Sequence, residues 1–526
     1  MNRMLFWCLA AVILAVAVQP SFAQELRIGA AVEITSVDPL FHTFNPNNQL
    51  ARHVFDALVH QDSQQRLVPG LALSWKPISD TTWEFKLRPG VKFHDGTPLT
   101  ADDVIFSIDR ADKVPNSPAS FAIYSKAVKS IHVVDPLTLH IDTGTPYPLL
   151  PADLSTIAIQ SRHAAAGKTT DDFNKGVAAI GTGPFKFVEW VPGDRLVLAR
   201  NDNYWGPKPD WTRVIFRPIP NSAARVAALL ARDVDFIESV PTPDLTNLKR
   251  NAAVHLVETV SNRVIYLHLD SNRDKTPFVF DNSGKPLDKN PLKDVRVRKA
   301  MSKAINRQAI VERVMEGAAI AAGQLLPDGF FGVSPKLKPE PFDPEGAKKL
   351  LAEAGYPDGF RLTLHGPNDR FVNDEKIEQA IAQMLSRVGI KTDVVAMPQS
   401  TYFSRASNLE FSVMLLGWGA DTGEPSSPLK SLLATFDRSK GFGTANRGRY
   451  SNPKLDALLE EALTTVDDGK RSLLLQQATE AAIEDLGIIP LHYEVTIWGM
   501  RSDLTFQGNS DQYTLAFDIH PVGSRN

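Results

Sequence analysis

Cysteine is almost missing: the 526 residues hold one, Cys8, and it sits in an N-terminal leader. Residues 1–4 carry a single base, Arg3, and residues 5–18 run apolar until Gln19-Pro20 breaks them. Ser21-Phe22-Ala23 then puts small residues at the −3 and −1 positions of a cleavage site. This is the pattern of a secretory signal peptide, residues 1–23, too short and wrongly flanked to span a membrane. Phe6-Trp7 before Cys8 do not make a lipoprotein cleavage box, so a free protein is expected in the periplasm. Removal of the leader leaves no disulfide, no thiolate nucleophile and no cysteine metal ligand.

Other absences narrow the classes further. No second long apolar run follows the leader, so no stable membrane insertion is expected. The net charge is only −3, with acids and bases interspersed, which gives no electrostatic footprint for nucleic acid or an anionic membrane. The 12 histidines show no HExxH or comparable spacing, so no metal and no cofactor is expected. No GxSxG elbow occurs, which argues against an exported hydrolase. Internal repeats and low-complexity tracts are lacking too. What is present is ordinary globular composition, 43% hydrophobic and 22% charged, on a chain long enough for two or three domains.

Along the chain, residues 25–30 read as a short strand. Leu50, Val54, Leu58 and Val59 are spaced for one helix face. Trp83, Phe85 and Leu87 alternate with Glu84 and Lys86, and Arg88-Pro89-Gly90 suggests a hairpin back into residues 91–93. Asp102 and Asp103 open a helix. Val297, Met301, Ala304, Ile305, Val311 and Met315 mark the apolar face of a helix within 291–317. Asp343-Pro344 starts another, closed by Gly355, and residues 374–388 form a third before a strand at 390–395. Helix and strand alternate, as in an α/β lobe.

Residues 411–432 carry the most chemistry. An apolar run, 411–416, reads as a buried strand closed by glycine. Gly417 and Gly419 flank Trp418 and allow a sharp bend with close approach to another molecule. Asp421 follows at the strand mouth, and Gly423, Glu424, Pro425 and Pro428 keep the loop irregular. A Trp and an acid there suit a small cationic group; equally, Trp418 is core and Asp421 caps the turn.

Residues 67–110, LVPGLALSWKPISDTTWEFKLRPGVKFHDGTPLTADDVIFSIDR, resemble the signature of the family 5 extracellular solute-binding proteins. These are the dipeptide-, oligopeptide- and nickel-binding proteins of ABC importers. The resemblance continues through GTGPF at 181–185, NDNYW at 201–205, the segment 222–237 and the central segment 291–317. Within it, His94-Asp95 belongs to a structural turn.

The resemblance implies an α/β, two-lobed periplasmic-binding-protein clamp of the large, type II-like form. One lobe would comprise residues 24–264 plus 491–526, with a subdomain inserted at about 50–185; the second would be 265–490. His492-Tyr493-Glu494 would lie at the hinge or cleft wall. In the family's peptide binders an aspartate after a Trp-x-x motif binds the ligand's α-ammonium, and Trp418-Gly419-Ala420-Asp421 matches it. Arg370, in HGPNDRF, falls where dipeptide binders carry a carboxylate-binding arginine, although Phe371-Val372 replace the usual Pro and Tyr. The ligand-binding set implied is Asp421, Trp418, Gly419 and Arg370, with His42, Asn45, Asn47, Tyr402 and Phe403 more readily explained as loop or core. The expected function is capture of a small peptide or peptide-like amine by a monomer, for an inner-membrane ABC permease. Relatives of this fold also bind nickel chelates, haem, glutathione, opines or oligosaccharides; a chaperone-like role is the alternative of another class.

Overall fold

A computed structural model describes residues 25–524, so the leader read at 1–23 lies outside the described residues. Two antiparallel strands organise it, Val254–Leu269 and Ile489–Arg501. Their register shifts between Val260 and Val264. On one side of the shift, residues 254–260 face 495–501; on the other, 264–267 face 489–493. Neighbours change at the same place. Residues 263–269 gain a second partner strand, Val413–Gly419, whereas Met500 and Gly499 pair with Phe236–Ile237. One twelve-stranded sheet therefore runs through both halves of the clamp.

Past the shift the strand is apolar on both faces, as a sheet covered on both sides requires. Ile265, Leu267 and Leu269 pack with Val297, Met301, Leu351, Ile377 and Ile381 of three helices. Val264 and Tyr266 point the other way, into Tyr402, Leu455, Leu459 and Leu475. Before the shift a separate core forms around Leu26, Ile28, Val214, Phe216, Trp498 and Met500. A four-stranded sheet made by residues between 72 and 142 has its own core, with Phe85, Leu139 and Ile141 against Val104 and Ile108.

Several local expectations need correction. The strand Thr82–Leu87 pairs with Ala72–Pro77 and Thr138–Asp142, not with 91–93. Its partner comes from fifty residues away, which alternation alone does not reveal. The first helix is Asn45–Val54 and excludes Leu58 and Val59; Gly183 N–H docks on the Val54 carbonyl where the next turn would begin. The segment 291–317 is not one helix. Val295–Ala304 stops at extended Ile305, and Asn306 caps the next turn through its Oδ1 and the Ala309 N–H. Helices Ala101–Arg110, with a Thr100/Asp103 capping box, and Pro344–Glu353, capped by Asp343, stand as read.

Candidate functional site

The strand expected to end at Leu416 continues through Gly417, Trp418 and Gly419, which pair with Ile265, Val264 and Arg263. The chain leaves the sheet at Ala420. Side-chain amides from two distant places then bind its carbonyls. Gln65 Nε2 donates to Ala420 O (3.3 Å) and Asp421 O (3.0 Å), and Gln61 Nε2 donates to Asp421 O (3.1 Å). Asn262, inside the register shift, donates Nδ2 to Ala420 O (3.1 Å) and Gln65 Oε1 (2.9 Å). Gln61 and Gln65 are 360 and 356 residues away from Asp421 in sequence, and these bonds tie the Asp421 loop to their segment. Contact is close: at Gly423, whose φ is +69°, a Cβ would meet Gln65 at 2.9 Å.

The Asp421 carbonyl thus accepts two hydrogen bonds; its carboxylate accepts none. Among the described residues nothing hydrogen-bonds or ion-pairs with it. The residue is solvent-exposed and lines a cavity of about 60 Å³. Arg52, Gln65, Tyr124, Asp511 and Tyr513 help line the cavity. Burial pushes the Asp421 carboxyl up, Arg263 nearby pulls it down, and the Asp511 charge raises it again. Asp511 itself is paired, with Arg52 Nη1 at 3.0 Å.

Arg370 follows the strand Phe360–Pro367. Asp374 Oδ2 accepts the N–H groups of Arg370 (2.9 Å) and Phe371 (3.0 Å), which fixes the loop. The guanidinium lies 5.2 Å from the Phe371 ring centroid and has no hydrogen bond or ion pair among the described residues. The residue is solvent-exposed. Its pKa is lowered, first by burial and then by Arg263, with Glu494 and Asp374 opposing.

Arg263 is the residue that connects these two. It faces Gly419 across the ladder, ion-pairs with Glu494 (3.3 Å) and contacts Gln512 Oε1 (3.4 Å). It acts electrostatically on both Asp421 and Arg370. A Cβ at Gly419 would meet its Nη2 at 3.3 Å, so this glycine leaves space for the guanidinium. Trp418 is half-buried against the second-half core, its Nε1 toward Ser427 Oγ at 3.4 Å, and it does not line the Asp421 cavity.

The remaining polar candidates have internal duties. His42 meets Thr35 Oγ1 (3.1 Å), and Asn47 Oδ1 accepts the Thr35 N–H (2.9 Å). His94 joins Gly183 O and Gly181 N–H, and Tyr402 donates to Leu415 O from the core. His492 is buried on the crossing strand, two residues from Glu494. Sequence reasoning missed Arg263, Tyr124, Asp511 and Tyr513. Arg263 carried a signal, a charge opening an otherwise apolar strand; the other three carried none. Among the described residues no group of three or more His, Cys, Asp or Glu is arranged to hold a metal ion, and no helix is long and apolar enough to cross a membrane.

The sequence profile described as "Bacterial extracellular solute-binding proteins, family 5 Middle" matches residues 66–440. The chain belongs to this family. Family 5 proteins are the solute-binding components of ABC importers, and the mixed α/β clamp described above is their fold. The chain is 31% identical to heme-binding protein A of Haemophilus influenzae over 85% of its length and 83% of that protein's. It is 30% identical to the glutathione-binding protein GsiB of Pectobacterium atrosepticum, over 92% and 91%. The unliganded open form of MppA, a periplasmic murein tripeptide binding protein, superposes with a TM-score of 0.78. That match has 25% identity and covers 95% of this chain and 98% of MppA.

Proposed function

We propose that this family 5 protein captures a peptide or peptide-like zwitterion between its lobes and presents it to an inner-membrane ABC permease. One observation carries the reading. Of the charges facing the cleft around the crossing strands, Arg52–Asp511 and Arg263–Glu494 neutralise each other, while Asp421 and Arg370 stand unpaired. One free acid and one free base complement a solute with an ammonium at one end and a carboxylate at the other. Arg263 between them favours the Asp421 carboxylate and disfavours the Arg370 guanidinium, a repulsion that a ligand carboxylate at Arg370 would relieve.

Peptide is also the ligand class named for GsiB and MppA, whereas heme-binding protein A is named for a different ligand. We take the lobes as 24–264 with 491–526, and 265–490; the register shift at 260–264 supports that division. The role is binding and release, with no bond made or broken, in the periplasm. A thermal-shift screen of residues 24–526 after unfolding and ligand removal tests it, with peptides, glutathione, heme, sugars and nickel chelates. Ligand at 100 Kd stabilises by ~2.7 kcal/mol. Stabilisation by free-amine peptides, lost in Asp421→Ala, is expected. Stabilisation by heme, a sugar or a chelate that survives Asp421→Ala overturns it.

A further inference from the structure

We propose that the space behind the crossing strands sets the angle of the clamp: a body filling it holds the cleft closed. The proposal rests on the lobe division above and not on which solute binds. Successive side chains of a strand point to opposite faces. On Ile489–Arg501, Glu494 turns to one face, where it meets Arg263 at 3.3 Å and acts on Arg370. Tyr493 turns to the other, with its ladder partner Ile320, and both line a cavity of about 630 Å³. Val260, at the register shift, lines it too. The cavity therefore lies across the ribbon from Arg263 and Arg370.

Both halves wall this space. Ser63, Gln64 and Gln507 come from the first, and Ile320, Gln324 and Phe330 from the second. Geometry then fixes a sign. Lobes that turn about two shared strands approach each other on one face as they separate on the other, so opening the cleft narrows the space behind it. The walls themselves leave room for that movement, since Ile320 and Gln64 are both exposed. Their charges are matched, Glu258 with Lys249 at 2.6 Å and Asp328 with Lys338 at 3.7 Å, so an uncharged filling meets no unpaired ion. Such a filling raises the free energy of the open clamp alone. The closed fraction grows, and solute binds more tightly without being touched.

The test uses residues 24–526, which contain no cysteine, so a single one can be introduced and alkylated. Ile320→Cys and Gln64→Cys place it on opposite walls. Leu473→Cys, at an exposed helix position outside the cavity, is the control. Each ligand-stripped variant is treated with N-methyl-, N-phenyl- or N-pyrenylmaleimide, the smaller labels serving where the largest disturbs melting. Small-angle scattering of the unliganded protein decides. The radius of gyration is expected to fall as the label grows at 320 and at 64, and to show no such fall at 473. A radius that is unchanged or rises at either cavity position overturns the proposal. On the same samples, retention of a di- to pentapeptide pool, read by mass spectrometry, is expected to rise roughly threefold or more with the largest label. Retention that stays level or falls while the radius shrinks also overturns it. A pool retained by no sample, labelled or not, overturns the peptide reading instead, and the radius still decides this one.

Discussion

Phe371 lays its ring on the α-carbon of Gly417: a Cβ there would sit 2.7 Å from Phe371 Cε1 and 2.7 Å from Ile265 Cδ1. The contact joins the loop that carries Arg370 to the strand that leads to Asp421. Gly417→Ala should therefore do two things. Overpacking should lower the unfolding free energy by about 1–3 kcal/mol, and the displaced Phe371 should carry Arg370 out of place. Denaturant midpoints and peptide affinity, measured on the same variant, should both fall. A variant with native affinity would show that the Arg370 loop is positioned independently of this contact.

Asp421→Asn should separate stability from binding. The carboxylate has no protein partner in its cavity, and burial already raises its pKa. Neutralising it should leave the unliganded protein about as stable, because the exposed carboxylate makes no hydrogen bond or ion pair that would be lost. Peptide affinity should fall by ~2–5 kcal/mol, much of it the penalty of leaving the ligand's ammonium unpaired. Calorimetric titration beside thermal melts checks both signs.

Gln65→Ala should loosen the closed arrangement. Gln65 donates to Ala420 O and Asp421 O and accepts from Asn262; Asn262 and Gln61 still bond the two carbonyls without it, so the loss is of these hydrogen bonds alone, about 0.5–1.5 kcal/mol each. A shift of the open–closed equilibrium by that amount reduces apparent affinity in proportion to the closed fraction lost. Small-angle scattering should show a larger radius of gyration for the unliganded variant, recovered at saturating peptide.

Stability should peak near pH 6.5, the ordinary histidine value. Burial holds His53, His94, His365 and His492 at about 4, so between 4 and 6.5 the unfolded chain binds more protons and stability rises with pH. Two buried acids act oppositely. Asp153 is pushed up to about 8, by burial and by Glu424 across the interface, with Tyr147 and Lys430 opposing. Glu378 reaches about 9, by burial with Asp374 and Glu375. While the native state alone keeps these protons, stability falls as pH rises, until each folded pKa is passed. Urea midpoints from pH 4 to 9.5 should trace this curve, and Asp153→Asn with Glu378→Gln should flatten its alkaline side.

Much of this architecture can be read in the chain, and the limits follow from distance. Helices with a local signal, a cap for Pro344–Glu353 and an apolar period for Asp374–Ser386, announce themselves. The pairing of Thr82–Leu87 with Thr138–Asp142 does not, because a strand's partner is chosen by packing far along the chain. The same division holds at the site. Trp418-Gly419-Ala420-Asp421 is a local pattern, whereas Asp511, Tyr513 and Tyr124 reach Asp421 only through the folding of the tail and the inserted segment. Even at Trp418 the local reading went astray. The glycines on either side suggested a bend, but they make space in a continuing strand, for Phe371 at one and Arg263 at the other.

The shifted register at Val260 and Val264 has a mechanical consequence. Two strands bonded to each other along most of their length form a ribbon, and a ribbon resists sliding and stretching while yielding to twist. With both irregularities confined to Val260–Tyr266, that short stretch is where the ribbon yields most easily, by a change of angle. Solutes of different length or composition can fill the space between them in different ways, yet all must be registered through that angle. A membrane partner touching the outer rims would then gauge occupancy by how far apart they stand, without sampling the solute itself.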